Sequence, residues 1–132
     1  MDISISVFYS QLYFSLLGLF AIYLSYMVVD ARRSEKIGIG SGDNKLMERR
    51  IRVHSNFIEY LLPFAILFLV YELSGGNEWV LKISGAVFLI ARIMHAQGLA
   101  KSAGTSFGRF YGTLFTWIII IALSIANIIH LF

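Results

Sequence analysis

The sequence predicts an all-α integral membrane protein, a single domain over residues 1–132 that crosses the bilayer four times as a helix bundle. Three observations carry this. Apolar residues make up 58 % of the chain and charged residues only 14 %. A typical soluble domain carries about 25 % charged residues, so too little polar surface remains here to coat a globule in water. The apolar residues also gather in four runs of roughly 20 residues or more, each enough to cross about 30 Å of hydrocarbon at about 1.5 Å per residue. Finally, the runs are parted by short polar or glycine-containing stretches. Helices are the expected form, because hydrocarbon offers the backbone no hydrogen-bond partners.

The first run, Val7 to Val29, predicts a helix over about 5–30. The start, Met1-Asp2-Ile3-Ser4, lacks the basic region of a cleaved signal peptide, so this run is read as a retained helix. A polar stretch, Asp30 to Lys36, and a Gly/Ser segment, Gly38 to Asp43, form the first loop. The second run, Ile51 to Leu73, predicts a helix over about 48–73, which Pro63 should kink rather than end. Ser74-Gly75-Gly76-Asn77 reads as a tight turn. The third run predicts a helix over about 78–99, the small polar segment Gly98 to Gly108 a loop, and the fourth run a helix over about 108–131.

Charge placement sets the topology. Of eleven Lys and Arg, seven lie between Arg32 and Arg52, and Arg92, Lys101 and Arg109 flank the third loop. Only Lys82 lies near the opposite face. Four crossings put the first and third loops on one side. The positive-inside rule then places loops 30–50 and 98–109 in the cytoplasm and both termini outside. Tyr9, Tyr13 and Trp79 suit interfacial anchoring on the outer side, and Arg49 and Arg50 read as orientation charges. Basic residues confined to a membrane rim give no reason to expect nucleic-acid binding. The chain has no cysteine. It can form neither a disulfide nor a thiolate metal site, no metal is expected, and any thiol chemistry must use a thiol carried by a ligand.

What exceeds topology lies at the basic ends of helices 2 and 3. Arg52, Asn56 and Glu59 fall within an arc of about 80° at 100° per residue. Glu59 sits well inside an apolar run, where a carboxylate costs about 2.5–3.5 kcal/mol on insertion scales and usually faces a partner or a wet cavity. Arg52 stands two turns away, so a direct pair within the helix is not expected, and a ligand is the better bridge. His54 points nearly opposite this stripe and reads as structural. On helix 3, Arg92, His95 and Leu99 share a face at the same depth as Arg52. Arg109 opens helix 4, and Arg32 and Arg33 close helix 1, on the same side. An array of arginines suits carboxylates, which the guanidinium fork binds bidentately. Glu59 and Asn56 are expected to accept from an ammonium or amide. The implied ligand is small, zwitterionic and peptide-like.

These residues carry a resemblance to the MAPEG family, membrane-associated proteins in eicosanoid and glutathione metabolism. The segments are Ala31-Arg32-Arg33, Arg52-x-x-x-Asn56-x-x-Glu59-Tyr60 before Pro63, and Ala91-Arg92-x-x-His95-x-Gln97-Gly98. The resemblance implies a homotrimer that binds glutathione between neighbouring subunits and a lipophilic electrophile entering from the bilayer. The compact length and the lack of a targeting segment suit a bacterial inner membrane, with the endoplasmic reticulum as the alternative. Arg32, Arg52, Asn56, Glu59, Arg92 and His95 would be glutathione contacts. Arg109, or Arg33 of a neighbouring subunit, would stabilise the thiolate. The expected activity is conjugation of electrophiles or reduction of lipid hydroperoxides. Many members carry an aromatic hydroxyl where this chain has Leu99, and Ser106 lies near the arginine position of the eicosanoid synthases in one register. That departure favours a second expectation, a non-catalytic protein of the same fold that binds a lipid or a partner. A small multidrug-type transporter is the third, disfavoured because helix 1 has no charge between Asp2 and Asp30.

Overall fold

A computed structural model describes residues 6–132. The readings made on Met1–Ser4, and residue 5 as a helix start, lie outside these residues. The protein is all-helical: α1 Phe8–Glu35, α2 Lys45–Leu73, α3 Glu78–Lys101 and α4 Phe107–Ile129. All four helices are long and apolar enough to cross a bilayer, and the protein is an integral membrane protein.

The two helix ends at the first loop both reach further than the sequence expectation. α1 does not stop where its apolar run stops but continues through Asp30-Ala31-Arg32-Arg33 to Glu35. Alanine, arginine and glutamate are good helix formers, so the helix persists once it has left hydrocarbon. It ends at Lys36, which takes the left-handed conformation at φ 54°, while the Ile37 amide donates to the Arg32 carbonyl at 3.0 Å. α2 begins early, at Lys45, because Asn44 caps it: the Asn44 side-chain oxygen accepts from the Met47 amide at 2.9 Å. Asn77 caps α3 and Ser106 caps α4 in the same way. α2 runs through Pro63 without ending.

Glycines set how closely α3 and α4 approach. A β-carbon on Gly112 would lie 2.7 Å from the Ala91 carbonyl oxygen and 2.9 Å from the His95 nitrogen. One on Gly108 would meet the Met94 carbonyl oxygen at 2.5 Å. With little hydrophobic drive between helices in lipid, such backbone contact supplies the van der Waals gain. α2 packs across both α3 and α4, α1 lies against α2 and touches α3, and α1 and α4 do not meet among the described residues. The core between them is aromatic: Phe57, Phe64, Phe68 and Phe88 are fully buried, and Phe64 stacks on Phe88 with ring centroids 3.8 Å apart.

The end away from the basic loops is closed by polar ties. The Glu72 carboxylate, from the last turn of α2, accepts from the backbone amides of Tyr9 at 2.8 Å and Ser10 at 2.7 Å. A carboxylate there satisfies orphan amides of α1 and faces the positive end of its dipole. Tyr9 and Tyr13, expected as interfacial anchors, have their hydroxyls engaged between helices. Tyr9 donates to Glu78 at 2.5 Å and Tyr13 to the Lys82 carbonyl at 2.8 Å. Trp79 remains exposed, as an anchor would be. The outward faces of α1 and α4 are apolar, with Leu19, Ile22, Ile121 and Ile125 all exposed. In water such a patch would drive association; hydrocarbon is its natural surrounding.

Gly112→Ala should push α4 off α3, because the obstructing atoms are backbone. We expect a loss of about 1–3 kcal/mol, read as an earlier thermal unfolding midpoint in detergent.

Candidate functional site

The basic end is built differently from the closed end. Arg92 of α3 is fully buried. No carboxylate is within ion-pairing distance of it among the described residues. Neutral acceptors hold it instead. Nη2 donates to Asn56 Oδ1 of α2 at 2.5 Å, and Nη1 donates to Thr116 Oγ1 of α4 at 3.3 Å. Nη2 also lies 3.3 Å from His95 Nδ1, one turn along α3. The guanidinium stands over the Tyr60 ring, 5.2 Å from its centroid. Tyr60 accepts at its hydroxyl from Trp117 Nε1 at 2.9 Å. Arg92 therefore lines neither cavity of the basic end; it stands behind two residues that do.

Those two, Asn56 and His95, line a cavity of about 400 Å³ at the basic rim, together with Arg52, Leu99 and Arg109. A second cavity of about 300 Å³ shares His95 and Arg109 with the first and adds Phe110, Thr113, Leu114 and Trp117. So one space is rich in cations, the next is largely aromatic and aliphatic, and His95 and Arg109 stand in the wall common to both. Arg109 is steadied by the third loop, donating through Nη1 to the carbonyls of Ala103 and Gly104, the latter at 2.7 Å.

Of the residues singled out in the sequence, Arg52, Asn56, His95 and Arg109 converge on the cation-rich cavity. Glu59 faces the neighbouring notch with Tyr60, Pro63 and Trp117. The expectation that Arg52 and Glu59 could not pair directly is corrected: Arg52 Nη1 lies 3.7 Å from Glu59 Oε1. Seven residues bring both onto one helical face, and two long side chains leaning toward each other close the remaining distance. Both are more than half exposed, 55 % and 56 %, so the pair is screened and weak. Asn56, expected to accept from a ligand, has its oxygen committed to Arg92. Arg32 does not reach either cavity of its own chain. Its Nη1 donates to the Gly40 carbonyl at 3.1 Å and the Ile37 carbonyl at 3.4 Å, tying down the first loop. Arg33 is exposed on α1, which does not touch α4.

Lys45, Glu48 and Arg49 of the cation-rich cavity escaped the sequence reading, as did Thr116 behind it. Arg49 was assigned to orientation, yet with Lys45 and Glu48 it lines the cation-rich cavity. Its Nε is buried with no hydrogen-bond partner among the described residues. Continuing the Arg52 stripe one turn toward the start of α2 would have found it. Thr116 carried no such signal, because one threonine in an apolar helix looks like any other.

Comparison with known proteins follows the same lines. The MAPEG family matches residues 10–129. The chain is 32 % identical over 108 residues to Inner membrane protein YecN of Escherichia coli, covering 82 % of this chain and 74 % of that protein. It is 36 % identical over 53 residues to Prostaglandin E synthase of Equus caballus, 40 % of this chain and 35 % of that one. Over 49 residues it is 39 % identical to Prostaglandin E synthase of Macaca fascicularis, 37 % of this chain and 32 % of that one.

Because the Arg52–Glu59 pair is exposed, Glu59→Gln should change unfolding stability by less than about 1 kcal/mol. A chemical-denaturation series in detergent measures this, and a larger loss would mean the carboxylate is bound more tightly than the geometry allows.

Proposed function

The chain belongs to the MAPEG family, and from that premise we propose that it binds glutathione in the cation-rich cavity and uses the thiol against a lipophilic electrophile or hydroperoxide. The observation that carries this reading is the pair of joined cavities. Glutathione is a small zwitterionic peptide with two carboxylates and an ammonium, and a space lined by Arg52, Arg49 and Lys45, with Glu48 beside them, suits these groups. The adjoining space, with Phe110, Leu114 and Trp117, suits a hydrocarbon partner delivered by the bilayer. The two meet at Arg109 and His95, so the sulfur would lie at their junction. The chain has no cysteine of its own, and the nucleophile must arrive with the ligand.

Arg109 is the residue we assign to the thiolate. A fixed guanidinium beside sulfur favours the charged form and raises the fraction of thiolate at neutral pH. The thiolate then either forms a thioether by displacing a leaving group from an electrophilic carbon, or attacks the terminal oxygen of a hydroperoxide, breaking the O–O bond to give the sulfenic acid of glutathione and an alcohol. A second glutathione condenses with the sulfenic acid to the disulfide and water. Arg32 and Arg33 lie away from their own chain's cavity and act, in this reading, on a neighbouring subunit's. In this reading part of the exposed apolar helix surface would be covered in a homotrimer and the rest would face lipid. The protein resides in a bacterial inner membrane with the basic loops in the cytoplasm, in keeping with its relative in Escherichia coli. A second reading, a non-catalytic glutathione or lipid binder, is favoured by one feature: Leu99 places an aliphatic side chain on the cavity wall where many relatives have a hydroxyl.

Calorimetry of glutathione with the purified protein tests the binding reading. Saturable binding is expected. Arg52→Ala should weaken it by about 10- to 100-fold, the loss of one charge-assisted interaction of about 1.5–3 kcal/mol. No binding to the folded wild type would overturn it. Arg109→Ala should leave binding largely intact while lowering the thiolate absorbance of bound glutathione and the turnover by about 10-fold per unit of thiol pKa restored. Unchanged thiolate and turnover would remove Arg109 from that role.

A further inference from the structure

Arg92 is the most deeply buried charge among the described residues, and it touches neither cavity. Its effect on them follows from the chemistry of its donors. A guanidinium has five N–H donors and no acceptor, so any atom turned toward it must offer a lone pair. Asn56 turns Oδ1 toward Nη2. The other end of that amide, Nδ2 with its two N–H groups, is left for the cavity. His95 turns Nδ1 toward the same Nη2. That nitrogen cannot carry a proton, since N–H would then face N–H, so the single proton of a neutral imidazole must sit on Nε2. Thr116 fits the same logic. Its hydroxyl donates to the Gly112 carbonyl at 2.7 Å, which fixes its lone pairs toward Arg92 Nη1.

We propose that Arg92 is a positioning residue that fixes the polarity of the cavity wall, holding His95 as its Nε2–H tautomer and turning the Asn56 amide so that both present only donors to an occupant. Beside Arg52, Arg49 and Arg109, which also only donate, Asn56 and His95 suit the anionic groups of an occupant, and Glu48 is the carboxylate on the same lining. His95 serves there as a hydrogen-bond donor to a carboxylate or thiolate and not as a general base, because its basic nitrogen is taken. The inference rests on reading the cavity as a ligand site, but the tautomer itself needs no ligand.

The test is ¹⁵N magic-angle-spinning NMR of histidine-labelled protein in liposomes without ligand. The His95 signals are assigned by their absence in His95→Gln. The wild type should show one protonated and one unprotonated ring nitrogen for His95, with the proton correlated to Nε2. Arg92→Met, which keeps bulk and removes every donor, should convert this to an average of both tautomers. A packing role alone would not move that ratio. A wild-type His95 that carries its proton on Nδ1, carries two, or averages overturns the proposal without any variant having to fold. So does an Arg92→Met protein that keeps the pure Nε2–H form. Glutathione calorimetry on the same samples separates the two readings. Lost binding with an intact tautomer would sink the glutathione assignment alone; intact binding with the wrong tautomer would sink the role of Arg92 alone.

Discussion

Three of the four helices are joined at one guanidinium. Arg92 lies on α3, takes one acceptor from α2 and another from α4, and stands over an aromatic ring of α2. A charge removed from water is tolerable only when its donors are satisfied. Here neutral oxygens and a ring nitrogen take the two terminal nitrogens and a π face covers the plane, without a carboxylate, while Nε is buried with no partner among the described residues. Neutral partners leave the net positive charge in place, so the cavity in front of Arg92 feels it as well as the surface arginines around its rim. The same burial makes the arrangement rigid: displacing α2, α3 or α4 would strand a donor in a dry interior.

That rigidity depends on the glycine seam behind it. Gly108 and Gly112 bring the α4 backbone against Met94, Ala91 and His95, and only at that separation can Thr116 reach Arg92 across from α4. Packing and polarity are thus one design at this end of the bundle. The opposite end has another. There Glu72 caps α1 from α2, Asn127 of α4 donates to the Leu67 carbonyl at 3.0 Å, and Tyr9 and Tyr13 bridge α1 to α3. Polar groups at that end bond to each other across helices. At the basic end Arg49, Arg52 and Arg109 instead line open volume, while Arg92, alone among the described arginines, is bonded across helices.

Lipid enters the argument through α4. Its inward face supplies Thr116 and Gly112 to the core, its flank supplies Arg109, Thr113 and Trp117 to the cavities, and its outer face is left to hydrocarbon. One helix therefore touches the polar hub, the ligand space and the bilayer. In the proposed function a hydrophobic molecule dissolved in the membrane would reach the wall of the second cavity without crossing water, and an anionic peptide would reach the first from the basic rim. The two cavities share one pair of side chains, His95 and Arg109.

The number of helices and their approximate spans follow from composition and run length, because the cost of exposing backbone in hydrocarbon leaves little choice. The stripe of Arg52, Asn56 and Glu59 and the pairing of Arg92 with His95 are also fixed by helical period alone. What the sequence could not decide was which of these side chains faces a ligand and which faces another side chain. Arg52 and Arg92 are the same residue type near the same depth, yet one lines a cavity and the other is sealed behind it. Thr116, the third anchor of that seal, has no marker in an apolar helix that also carries Thr113 and Ser124. Those assignments depend on the rotation of each helix about its axis and on how closely α3 and α4 approach. Both are set by contacts between residues far apart in the chain, which periodicity within a single helix does not encode.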